Sequence, residues 1–283
     1  YVEAVTQNQL RVRFSEPPDP ANLREVDLYE VTGGIGLPFS ILPDPSDPWS
    51  VMLFFSGSFR EDRAYEIFVR EAGDPCGNVR ENFSHFFDYH PAKPYEVTIS
   101  EVMADPYPPV GLPEGEYIEL YNRASFDVSL DGWYLRIGEQ AVRLNGLLPA
   151  GDFMILCEDD FADELEKHGL VCSFKTLPSI SNEGEAIVLE HKNGEVISFV
   201  RFQDDWYNDR YKQEGGWSLE QVDANNPCTG MSNWKASESP LGGTPGIINS
   251  VADDNPDLEG PRLLSVGLKD SATLMVHFSE ALN

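Results

Sequence analysis

The chain has 283 residues, 41% of them hydrophobic, which is enough for packed cores, and that length favours two domains of ordinary size over one. Twenty basic against 48 acidic residues leave a net charge of −28, and in residues 94–250 alone the balance of 10 against 27 gives −17. Such a surface repels phosphate backbones and anionic membranes, which excludes nucleic acid as a partner, and no run of about 18 apolar residues is present to span a bilayer.

Strand signals dominate from the start. The opening Tyr1-Val2-Glu3-Ala4-Val5-Thr6 has neither an initiator Met nor a signal-peptide pattern, so a piece of a longer chain is expected. Leu10-Arg11-Val12-Arg13-Phe14 alternates apolar with charged residues, and Tyr65, Ile67 and Val69 share one side of the next alternating run. Between them Val51-Met52-Leu53-Phe54-Phe55 is a continuous apolar run of strand length, and Pro43-Asp44-Pro45-Ser46-Asp47-Pro48 forbids a regular ladder. Short strands at this spacing point to a β-sandwich.

His90-Pro91-Ala92-Lys93-Pro94 reads as a linker, after which Val97-Thr98-Ile99-Ser100-Glu101-Val102 starts a new run of strands. Residues 161–168 are the one good helix candidate, with Asp160 as N-cap and Gly169 as the stop. Ala186-Ile187-Val188-Leu189 and Val196-Ile197-Ser198-Phe199-Val200 flank Asn193-Gly194, a hairpin with an expected type I′ turn. Near the C-terminus Leu274-x-Val276-x-Phe278-Ser279-Glu280 repeats Leu10-x-Val12-x-Phe14-Ser15-Glu16, each copy preceded by a Val-rich segment. Residues 261–282 thus read as a hairpin with one apolar face, expected to pack against a sheet of this molecule or of a neighbour by strand addition.

Residues 97–250 hold a series of motifs, beginning with Ile99-Ser100-Glu101-Val102-Met103-Ala104-Asp105-Pro106, Glu116-Tyr117-Ile118-Glu119-Leu120-Tyr121-Asn122 and Val128-Ser129-Leu130-Asp131-Gly132-Trp133-Tyr134-Leu135. The turns at Leu148-Pro149-Ala150-Gly151-Asp152-Phe153 and Ser181-Asn182-Glu183-Gly184-Glu185 follow, and then Gly216-Trp217-Ser218-Leu219-Glu220, Asn233-Trp234 and Gly243-Thr244-Pro245-Gly246. In this order they resemble the lamin-tail domain family, in its bacterial branch. The repeated Phe-Ser-Glu segments, with Asp74-Pro75-Cys76-Gly77-Asn78, resemble bacterial Ig-like domains of surface-layer type. Together the resemblances imply an all-β protein of tandem immunoglobulin-like β-sandwiches, secreted or displayed on the cell envelope. The expected division is an Ig-like domain at 1–93, a lamin-tail-like domain at 94–250, and an acidic linker with the opening strands of a further Ig-like repeat at 251–283. Some lamin-tail relatives are associated with DNA, which the −17 of residues 94–250 argues against here.

Neither GxSxG nor HExxH occurs, the five histidines are scattered, and no Cys/His cluster has zinc spacing, so no catalysis is expected. The four cysteines (Cys76, Cys157, Cys172, Cys228) allow three full pairings; a local Cys157–Cys172 bridge and buried free thiols are both open. Glu119, in phase with Tyr117 and Tyr121, and Asn122 read as structural residues that hold loop backbone, with a ligand role as the alternative. Trp206, Tyr207 and Tyr211 interleave with polar groups in a pattern that suits stacking on sugars, or else plug the sandwich end. Asp253, Asp254 and Asp257 cluster hard oxygens that suit Ca²⁺ at a domain joint, or form a solvated linker. The function expected is a non-catalytic adhesion or spacer module that binds protein or glycan, with an accessory module of a larger secreted nuclease or phosphoesterase as the alternative.

Overall fold

The computed structural model describes residues 1–19, 25–44, 47–61, 63–91 and 93–278. Ala92 of the linker, Pro45 and Ser46 of the proline-rich turn, and Ser279 and Glu280 of the second repeat copy lie outside the described residues. The chain is all-β apart from short helical turns, and it divides into two units, Tyr1–Pro91 and Ala92–Asn283.

Among its described residues the first unit has seven strands: β1 (Val2–Thr6), β2 (Gln9–Arg13), β3 (Tyr29–Val31), β4 (Ser40–Pro43), β5 (Ser50–Phe54), β6 (Ala64–Gly73) and β7 (Val79–Asp88). They form one sheet in the order β1-β2-β5-β4 and another in the order β3-β6-β7. This is the ABED/CFG arrangement of a constant-type immunoglobulin sandwich. The alternation read from the sequence supplies the core: Leu10 and Val12 face Val51, Leu53 and Phe55, while Tyr65, Ile67 and Val69 close it from the other sheet. Phe59 sits edge-on to Phe55, Tyr65 and Phe87, which closes one part of this core with rings. The apolar run at 51–55 alternates after all, with Met52 and Phe54 less buried than their neighbours.

The second unit begins with β8 (Val97–Met103), β9 (Tyr117–Asn122), β10 (Val128–Ser129), β11 (Tyr134–Ile137), β12 (Gln140–Arg143), β13 (Leu147–Leu148) and β14 (Phe153–Glu158). After the helix α1 (Asp159–Leu165) come β15 (Leu170–Phe174), β16 (Ala186–Glu190), β17 (Val196–Arg201), β18 (Leu219–Gln221) and β19 (Trp234–Ala236). A six-stranded sheet, β15-β14-β9-β8-β18-β19, faces a four-stranded one, β12-β11-β16-β17. Val97, Ile99, Ile118 and Leu120 from the first meet Leu135, Ile187 and Leu189 from the second. Gly132, at φ +83°, makes the turn that delivers Trp133 into this core, where it is 2% exposed. The opposite face of the six-stranded sheet carries a second cluster, including Met103, Leu112, Tyr117, Ile155 and Cys157, onto which α1 lays Leu165 and Phe161.

Three expectations are corrected. The helix starts two residues early, at Asp159, so Asp160 lies in the first turn and caps nothing; Glu158 holds the N-cap position and its carboxylate instead accepts from the Leu177 amide at 3.2 Å. A helix is needed there because β14 and β15 are parallel, a pairing that no tight turn can connect. The hairpin of β16 and β17 has the expected strands but not the I′ turn: only Gly194 takes a positive φ, His191 and Glu195 close a three-residue loop, and a bulge absorbs the shift. Of the two readings left open for the cysteines, the structure takes the one without a bridge: none of the four is in a disulfide. Cys157 belongs to the helix-side cluster and Cys172 to the inter-sheet core, so the two thiols point to opposite faces and cannot bridge.

The last correction concerns the C-terminal hairpin. Strands β20 (Leu263–Leu268) and β21 (Leu274–Phe278) pair with each other, and their register matches the repeat: Val266↔Val276 and Leu268↔Leu274 correspond to Val2↔Val12 and Ala4↔Leu10. Among the described residues the hairpin joins no other sheet of this chain, which removes the first of the two placements expected for 261–282 and leaves strand addition to a neighbour as the other. Leu274 is 63% exposed where Leu10 is fully buried, because β2 has β5 beside it and the opposing sheet above it, and β21 has neither.

Candidate functional site: a buried carboxylate row

Three glutamates lie side by side on the helix-facing side of the six-stranded sheet. Glu119 on β9 is the cross-strand neighbour of Glu101 on β8, which in turn neighbours Glu220 on β18, and all three are fully buried. Local structure explains how two consecutive polar residues of β8 reach this face. A register shift between Ile99 and Glu101 inserts an extra residue, so that both Ser100 and Glu101 bond to side chains on the same side.

Residues 243–251, an irregular segment after β19, run over the row and supply most of its hydrogen-bond donors. The Thr244 amide donates to Oε1 of Glu101 at 2.9 Å, and the Gly246 amide donates to Oε2 of Glu119 at 2.6 Å. Oε2 of Glu220 accepts from the Ser250 hydroxyl at 2.7 Å and from the Val251 amide at 3.2 Å. From the sheet itself, the Tyr117 hydroxyl donates to Oε1 of Glu101 at 2.6 Å and the Ser100 hydroxyl to Oε1 of Glu119 at 2.8 Å. The approach requires glycine at Gly243, where a Cβ would stand 2.7 Å from Oε1 of Glu101. Asn249 completes the attachment by donating to the backbone carbonyls of Ser100 and Gln221 at 2.9 and 2.8 Å.

Burial pushes the Glu101 carboxyl up to about 7, helped by the negative charge of Glu220 and opposed by the donors from Ser218, Tyr117 and Thr244. Burial and then the charge of Glu101 push Glu119 up still more strongly. Three carboxylates packed in a row without a cation cannot all ionise, so the row holds at least one proton near neutral pH. Glu119 was legible as unusual from its phase with Tyr117 and Tyr121. Glu101 and Glu220 stand out less, because in a chain with 48 acidic residues a single Glu is marked only by the apolar run around it.

Asn122, read as structural, is fully buried at the end of β9. Its Nδ2 donates to the carbonyls of Phe126, Leu148 and Pro149 at 2.9, 3.0 and 3.1 Å, and its Oδ1 accepts from the Ala124 amide at 2.9 Å. One side chain thereby joins two loops to the strand end.

The aromatic trio does not form one face. Tyr207 is buried and donates its hydroxyl to the Trp217 carbonyl at 3.0 Å. Trp206 is half-buried against the inter-sheet core with its ring tilted on Trp234, and Tyr211 is 73% exposed. Asp253, Asp254 and Asp257 are exposed, and the Asp253 and Asp257 carboxylates accept from nearby backbone amides. Among the described residues no group of three or more His, Cys, Asp or Glu side chains is arranged to hold a metal ion.

Strands β8 to β17, the Gly132-Trp133 turn and the Asn122 clamp all fall in one segment with a family counterpart. Residues 90–204 match the Lamin Tail Domain family. The match ends before β18, so Glu220 and the segment that fastens to the row lie beyond the lamin tail match while completing the same sheet. No curated protein matches the chain. Among solved structures it is similar to the N-terminal part of the bacterial S-layer protein SbsC, at 14% identity over 71% of this chain and 42% of that one, with a TM-score of 0.35. It is also similar to the S-layer protein rSbsC(31-844) and to domains 1-6 of surface layer protein SbsC, each at 11% identity, 71% and 40% coverage and a TM-score of 0.30. The chain spans about two-fifths of the length of these structures.

Proposed function

We propose that this chain is a non-catalytic module of the secreted or cell-surface space, a run of Ig-like sandwiches that spaces or adheres through protein contacts. The observation that carries the reading is the use made of the buried carboxylates. Glu101, Glu119 and Glu220, the row of carboxyls that burial sets apart from the solvated acids, are closed off from solvent and accept hydrogen bonds from the chain's own backbone and hydroxyls, so this row serves the fold. Protein contact is favoured over glycan because Trp206 and Tyr207 turn inward and leave Tyr211 without a stacking partner from the trio. Among the described residues no helix is long and apolar enough to cross a membrane, and the charge of −28 suits a solvated surface.

The proposed division is an Ig-like domain at 1–93, a lamin-tail-like domain at 94–250, and a segment at 251–283 whose hairpin is the opening of a further Ig-like repeat. The matching registers of β1–β2 and β20–β21 support the last of these. The test is a panel of phosphodiester, ester, peptide and glycoside substrates, together with a pull-down from envelope proteins. Turnover that a single carboxylate substitution abolishes would overturn the non-catalytic reading.

A further inference from the structure

The geometry points to a proton-dependent latch: a proton held between Glu101, Glu220 and Thr244 fastens residues 243–251 to the six-stranded sheet, and its loss above neutral pH loosens them. The argument starts from hydrogen count. The Thr244 hydroxyl lies 2.9 Å from Oε1 of Glu220 and 3.3 Å from Oε2 of Glu101. A hydroxyl has one proton to give, and the shorter contact takes it. One carboxyl oxygen of the pair must therefore carry a proton and donate it to the hydroxyl, and burial, which raises the Glu101 carboxyl, makes Oε2 of Glu101 the carrier. Oε1 of Glu101 already accepts from Tyr117 and from the Thr244 amide, so Oε2 is where the proton fits.

Among the described residues no cation makes an ion pair with these carboxyls, and the Lys212 ammonium is engaged by the Ser237 carbonyl and the Trp217 ring. From the sheet, the facing titratable groups are Glu119, Tyr117 and Glu220, and from β14 Cys157 lies in the same cluster as Tyr117. From the α1 side come Phe161, Ala162 and Leu165, and the overlying residues 243–251 include nothing titratable. Lys235, directly across from Glu220 on β19, is exposed and makes no ion pair with it; Glu238 is exposed with its amide on the Ser250 hydroxyl, and the His168 carbonyl lies against Gly246. Ionisation of Glu101 therefore adds a negative charge beside Glu220 and sets it against lone pairs of Thr244. The segment that would lift is the one from which residues 252–278, with the exposed hairpin, emerge.

The direction with pH follows from linkage. Glu101 binds its proton more tightly folded than unfolded, so its contribution is fully present below the ordinary Glu range and is lost as pH rises through about 7. For one such group, opening of the segment becomes about tenfold easier between about pH 6 and pH 8.5. The experiment is amide hydrogen exchange on the whole chain, corrected for intrinsic rate at each pH. Protection at Thr244, Gly246 and Val251 should fall about tenfold over that interval while Leu156, in the middle of β14, stays constant. Glu101→Gln supplies a permanent N–H where the proton sat and should leave protection high and independent of pH. A wild-type change below about twofold, or a Glu101→Gln chain with the full decline, would overturn the latch. If Glu101→Gln does not fold, Glu220→Gln serves instead. It removes the neighbouring charge and should move the midpoint of the decline to lower pH, and an unmoved midpoint would overturn the latch equally.

Discussion

Replacing Asn122 discriminates a structural role from a ligand-binding one. Asn122→Ala strands one amide, that of Ala124, and removes the donor shared by three carbonyls, all at a fully buried position. A stranded buried polar group costs roughly 1–3 kcal/mol. Because carbonyls have second lone pairs and water can enter the loop, the expected loss is about 3–5 kcal/mol, nearer the low end of the sum. Asn122→Asp keeps the shape but turns the Nδ2 position into an oxygen aimed at three other oxygens. It should cost at least as much at neutral pH, with the deficit narrowing in acid as a protonated carboxyl regains one donor. Urea unfolding followed by tryptophan fluorescence is the assay. Four of the five tryptophans (Trp133, Trp206, Trp217 and Trp234) belong to the second unit, so the signal reports the affected sandwich. The midpoint should fall with the slope unchanged. A loss below about 1 kcal/mol in both variants would refute the clamp and return Asn122 to the list of ligand candidates.

Trp206→Ala should destabilise the second unit by about 2 kcal/mol, since its half-buried ring rests on the core, and unaltered stability with lost glycan retention would restore the sugar-stacking idea. Among the thiols, Cys76 is exposed and should react with a maleimide in the native state, whereas Cys157, whose thiol burial pushes up to about 11, should react only on unfolding. Calcium held by Asp253, Asp254 and Asp257 would raise the melting temperature, and Asp254→Asn would remove the increment. With those side chains exposed, an unchanged melting curve in millimolar Ca²⁺ is the expected outcome, and a rise that the variant abolishes would show otherwise.

Period-two patterning made most of the fold legible, because it fixes which side of a strand faces a core. Leu10 and Val12, Tyr65 to Val69, and Ile118 with Leu120 all bury as their alternation requires. The same rule misleads where burial depends on a partner. Leu274 and Val276 have the pattern of Leu10 and Val12 yet stand exposed, since alternation states which face is apolar and not whether anything covers it. Composition hid the rest. In so acidic a chain the capping position of α1 was ambiguous among Glu158, Asp159 and Asp160, and the sugar-like spacing of Trp206, Tyr207 and Tyr211 gave no hint that short helical turns would aim the rings in different directions.

The carboxylate row shows where a signal did exist. Glu101 stands inside Ile99-Ser100-Glu101-Val102-Met103, a stretch buried at every position, and Glu220 follows Ser218-Leu219 with the same complete burial. A charged residue within a run too apolar to be solvated on either side has three physical outcomes: a cation, a set of donors, or a proton. Lys and Arg are scarce in residues 94–250, ten against 27 acids, which disfavours the first. The glycine-rich stretch Gly242-Gly243-Thr244-Pro245-Gly246 can bring bare amides close to a sheet, which provides the second, and two of its amides do donate to the row. Donors from one segment cannot neutralise three adjacent charges, and the third outcome is what remains for the row. The tail and the buried glutamates are thus one device read from two distant parts of the sequence, because neither could be buried in this sheet without the other.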